Sequence, residues 1–123
     1  MVKSQAFAKH PDHNIAIRPY QGLVEAWFLG KKIASTRQAL EMSEADYPLV
    51  YYIPFADCIS SHFEKTEHTT YCPFKGNASY WSLSVDSGHQ ENCVWGYTQP
   101  YDQVAAITDH VAFYPDKVEI RIL

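Results

Sequence analysis

Within His68–Trp81 a thiol, an imidazole and an amine stand close together along the chain: Cys72 follows His68 by four residues and precedes Lys75 by three. A thiolate needs a neighbouring cation or base, and His68 or Lys75 could supply it, so nucleophilic chemistry at Cys72 is one reading. A cysteine that only fills apolar space is the plain alternative. A lysine fixed beside aromatic rings could instead hold an anion or stack on a ring without reacting.

The elements around these residues must hold them. Cys72-Pro73-Phe74-Lys75-Gly76 reads as a tight turn, because proline pre-sets φ early in a turn and glycine accepts the positive φ that can follow. Beyond it, Trp81, Leu83 and Val85 alternate with Tyr80, Ser82 and Ser84, the period of a half-buried strand. The turn therefore launches a strand and presents Lys75 at its mouth. Upstream, Ile15 and Ile17 alternate up to Pro19, and Leu23–Leu29 and Ile33–Thr36 form a hairpin about Gly30-Lys31-Lys32. Arg37–Glu44 reads as extended, Ser43–Tyr47 as a loop, Pro48–Ile53 as a buried strand, Phe55–Glu64 as one or two helical turns and Lys65–Tyr71 as a polar connector. Downstream, Asp86–Glu91 reads as a loop and Cys93–Tyr97 as a strand with Cys93, Trp95 and Tyr97 on one face. Pro100–Ile107 reads as a short helix, and His110–Tyr114 with Lys117–Ile122 as a final hairpin. The sum is a mostly β fold, two antiparallel sheets or one strongly bent sheet, with one or two short helices.

The pattern H-T-T-x-C-P-x-K-G-x-A-x-Y-W resembles the signature of domain-of-unknown-function family 427. Further pieces match in order: G-K-K-I-A-S-T-R-Q-A-L, Y-P-L-V-Y-Y-I-P, E-N-C-V-W-G-Y and H-V-A-F-Y-P-D-K-V. The resemblance spans about Pro19 to Ile122. It implies a β-tent-like fold, also seen in methionine sulfoxide reductase B and in the drug-binding domain of cereblon. The family's label implies a nucleotidyltransferase-type activity.

The residues lend that label little. Nucleotidyl transfer needs carboxylates grouped around Mg²⁺ and a phosphate cradle, whereas Glu44, Asp46 and Asp57 have no special spacing and Gly30-Lys31-Lys32 is not a P-loop. No metal or other cofactor is expected, because Cys58, Cys72 and Cys93 stand alone and His10-x-x-His13 is the only close histidine pair. A ligand pocket fits better. Its candidate wall is Arg37, Glu44, Tyr52, Lys75, Tyr80, Trp81, Trp95 and Tyr97, aromatic rings with two cations and a carboxylate. Arg37 could alternatively pair with Glu44, and the rings could be ordinary core.

One hundred and twenty-three residues make one domain, 1–123, with 1–12 a loosely held lead-in. A net charge of −4 without clustered Lys and Arg argues against nucleic acid as a partner. The N-terminus lacks an apolar signal segment, no stretch approaches the ~20 apolar residues of a membrane span, and three cysteines suit free thiols in a reducing cytoplasm. The expectation is a cytoplasmic protein, not membrane-bound, holding a small polar or anionic molecule near the 72–76 turn. An enzyme using Cys72, His68 and Lys75, a nucleotidyltransferase and a pocketless interaction module are the alternatives. Homo-oligomer formation is not readable from the residues.

Overall fold

Alternating side chains decide which stretches become strands. In a computed structural model describing residues 2–123, Val24, Ala26 and Phe28 of β2 (Val24–Phe28) all point inward, with Glu25 and Trp27 between them. β2 pairs antiparallel with β3 (Lys31–Thr36) and with the last strand, β10 (Glu119–Ile122), making a three-stranded sheet. The other strands are β1 (Ile15–Pro19), β4 (Leu40–Glu44), β5 (Val50–Pro54), β6 (Phe63–Cys72), β7 (Gly76–Val85), β8 (Gly88–Gly96) and β9 (His110–Phe113). They form an antiparallel seven-stranded sheet in the order β1-β4-β5-β9-β8-β7-β6.

The large sheet carries apolar residues on both faces. One face, with Ile53, Leu83, Val94, Val111 and Phe113, joins Val24, Ala26, Phe28 and Ile33 of the small sheet in one core. The opposite face carries Met42, Tyr52, Ala78, Tyr80, Tyr97 and Ala112 in a second cluster, packed by Ile15, Ile17 and Trp95. Burying each such large side chain contributes about 1.5–3 kcal/mol.

Several elements depart from the sequence reading. Lys65–Tyr71 is part of the ten-residue strand β6 and not a connector. As an edge strand with solvent on most sides, it needs no apolar alternation, so its polar composition concealed it. The expected Asp86–Glu91 loop is mostly the start of β8. Cys93 leaves the face of Trp95 and Tyr97 for the inter-sheet core, because the register slips between β7 and β8 where Asn92 takes φ 51°. His110–Tyr114 and Lys117–Ile122 do not form a hairpin: β9 lies in the large sheet and β10 in the small one. Phe55–Asp57, Ser60–His62 and Asp102–Ile107 are 3-10 turns. α1 (Ala6–Lys9) lies within the lead-in.

Candidate functional site

The turn at 72–76 closes as its residues dictate. Cys72 pairs with Gly76, the Lys75 amide donates to the Cys72 carbonyl at 3.2 Å, and Gly76 takes φ +110°. The tip is then tied down from outside. The Tyr101 amide donates to the Lys75 carbonyl at 3.0 Å, and the Ser4 hydroxyl donates to the Pro73 carbonyl at 2.5 Å. Phe7 meets the Phe74 ring edge-on at 5.1 Å, and His13 stacks flat on it at 3.7 Å.

Held this way, the Lys75 amine reaches Glu44 at the end of β4, with Nζ 2.5 Å from Oε1. Each of these side chains is only 12% exposed, so the pair is largely shielded from water. The other carboxylate oxygen, Oε2, meets His13 Nε2 at 2.8 Å. Burial pushes the Glu44 carboxyl up. Hydrogen bonds and charge from Lys75 and His13 outweigh that and hold it below its ordinary value. The three side chains come from the lead-in, β4 and the β6–β7 turn, so a single carboxylate links both margins of the large sheet.

Beside this cluster lies a cavity of about 420 Å³ walled by Met42, Val50, Tyr52, Cys72, Phe74, Trp95 and Tyr97, with Tyr47 and Pro48 also at its wall. It opens on the second apolar cluster, on the face of the large sheet opposite the small sheet. The Trp95 indole N–H donates to the Tyr52 hydroxyl at 3.4 Å. Burial drives the Tyr52 and Tyr97 phenols well above their ordinary range, so both are neutral donors at physiological pH.

Of the residues singled out by sequence, Glu44, Tyr52, Cys72, Lys75, Trp95 and Tyr97 share this cavity. Tyr80 is on the same sheet face but behind the wall, its hydroxyl 3.0 Å from that of Thr70. Trp81 points to the opposite face and packs on Phe55, since neighbours in a strand point oppositely. Arg37 is exposed after β3 in the small sheet and does not pair with Glu44, whose two oxygens are taken by Lys75 and His13. His68 is exposed on β6 with its ring against Tyr80. Four residues along a strand span roughly 13 Å, so the interval that would juxtapose His68 and Cys72 on a helix separates them here.

His13 was missed as a site residue. The signal was present: it is two residues before Ile15, so the alternation through Ile15 and Ile17 extends back to it. Glu44 likewise continues Leu40 and Met42, which places it on the strand β4 and not in the expected loop. Among the described residues no three His, Cys, Asp or Glu side chains gather as a metal site, and no helix is long and apolar enough to cross a membrane.

Residues 16–122 match the family model NTP_transf_9, described as "Domain of unknown function (DUF427)". The chain belongs to the DUF427 family. No curated protein matches it. The DUF427 match includes Glu44, Lys75 and the Tyr, Trp and Phe rings of the cavity wall, whereas His13 and the Ser4 anchor precede it. In this DUF427 protein, a segment before the matched region thus supplies one of the two partners of Glu44.

Proposed function

We propose that this DUF427 domain binds a small polar or anionic molecule in the cavity beside Lys75 and Glu44. One observation carries the reading: a shielded ion pair faces an apolar, ring-walled space of about 420 Å³. Removing charges from water is costly, and hydrophobic replacements of such pairs are often no less stable, so stability alone is weak grounds for placing one at a cavity wall. A ligand that exchanges hydrogen bonds with the pair gives it a use. The volume falls within the ordinary range for small-molecule sites, where apolar walls give area and a few polar groups give orientation. Cytoplasmic residence fits three free thiols.

The test is a ligand-observed NMR screen of small polar and anionic molecules against the wild-type protein and Val50→Trp, which fills the cavity from β5. Binders to the wild type that the folded variant no longer binds support the reading. No binder at all, or equal binding by both proteins, overturns it.

A further inference from the structure

The cavity's wall holds hydrogen-bond donors that no described residue takes up. Lys75 carries three N–H donors, of which Glu44 takes one. Tyr52 accepts from Trp95 and keeps its own O–H proton without an acceptor among the described residues. Tyr97 is 5% exposed, yet its hydroxyl makes no hydrogen bond to any described residue. Tyr97 stands on the wall of this cavity together with Tyr52, Cys72 and Glu44. On the acceptor side, each Glu44 oxygen already receives a donor. Among the described residues no fully buried side-chain N or O atom lacks a partner, so the unused donors of Lys75 and Tyr97 are reachable from the space these residues line, where an acceptor atom can meet them.

We infer that the ligand presents an acceptor oxygen, a carboxylate or a carbonyl, to Tyr97 and Lys75, with a flat apolar body against Trp95 and Phe74. This rests on the ligand-binding reading above and names the chemical class. A cationic amine is disfavoured because it would sit beside the Lys75 ammonium, whose like charge repels it. Tyr97 is then the residue that reads the ligand's head group. Phenylalanine there keeps the ring and removes only the hydroxyl.

Three probes of one shape test it: benzoate, benzamide and benzylamine. The readout is the Trp95 indole N–H signal in a ¹H–¹⁵N spectrum, with the Trp27 and Trp81 indoles, which do not line the cavity, as internal references. Benzoate and benzamide shift the Trp95 signal in a saturable way and benzylamine does not. Tyr97→Phe weakens benzoate about tenfold while its melting temperature stays near that of the wild type. The double variant Lys75→Met/Glu44→Gln, which removes both charges together and leaves neither orphaned, weakens benzoate more than benzamide. Preferential binding of benzylamine, with Val50→Trp abolishing it, overturns the acceptor assignment and leaves the pocket standing. Equal benzoate binding by the wild type and Tyr97→Phe removes Tyr97 from the role. No response to any of the three probes overturns the inference, and the broader screen with Val50→Trp then decides separately whether the cavity binds anything.

Discussion

Glu44 is the residue on which the site's electrostatics turn. Its carboxyl takes up a proton less readily in the folded protein than in the unfolded chain, whose ordinary value is near 4.5. The unfolded state therefore binds more protons around and below that pH, and stability falls as the pH drops from about 4.5 through the lower folded value. Melting curves from pH 6 to pH 3 should show that loss in the wild type, and Glu44→Gln should lessen it. Lys75→Met alone leaves Glu44 shielded with only His13, and should cost about 2 kcal/mol by chemical denaturation. The double change with Glu44→Gln should recover most of that. The thiols also differ. Burial pushes Cys58 up to about 12 and Cys93 up to about 11, so neither is appreciably ionised at neutral pH. Cys72 is half-buried on the cavity wall. Brief iodoacetamide treatment of the native protein, read by peptide mass spectrometry, should modify Cys72 ahead of the other two.

At the scale of elements, two glycines set local geometry, one closing the β6–β7 turn and the other letting β8 approach β9. Gly76 needs its positive φ of +110°, but an added Cβ there comes no closer than 3.5 Å to a neighbour, the Gln99 carbonyl. Gly76→Ala should therefore cost about 1–2 kcal/mol through backbone strain alone. Gly96 is tight instead of twisted. A Cβ would sit 2.6 Å from the His110 carbonyl and 3.1 Å from Val111, across the β8–β9 pairing. Gly96→Ala must push those strands apart and should destabilise more than Gly76→Ala. Comparing the two denaturation midpoints checks the order.

Across the whole molecule, the segment before the family domain acts as a strap. Ser4 hydrogen-bonds to Gln103 and to the turn at Pro73, Phe7 and His13 flank Phe74, and His13 completes the Glu44 cluster. Ser4, Phe7 and His13 belong to neither sheet. Replacing Ser4 and Phe7 with alanine should thus leave the two sheets folded while loosening the tip. Hydrogen exchange should quicken at residues 73–76 and stay unchanged in β2 and β9. Protection lost evenly across both sheets would show that the strap is part of the core.

By itself the sequence determined the apolar-in, polar-out strands, the turn at 72–76, the mostly β class and the family. All of these follow from period-two alternation, turn chemistry and local motif spacing, which act over a few residues. Six of the singled-out residues, Glu44, Tyr52, Cys72, Lys75, Trp95 and Tyr97, meet at one cavity. Only the tertiary structure decided that Arg37 and His68 lie elsewhere, that β9 and β10 enter different sheets, and that His13 joins Glu44. Those outcomes depend on strand order and on which sheet each strand joins. Contacts between residues thirty-one apart, as for His13 with Glu44 and Glu44 with Lys75, leave no local trace in the chain.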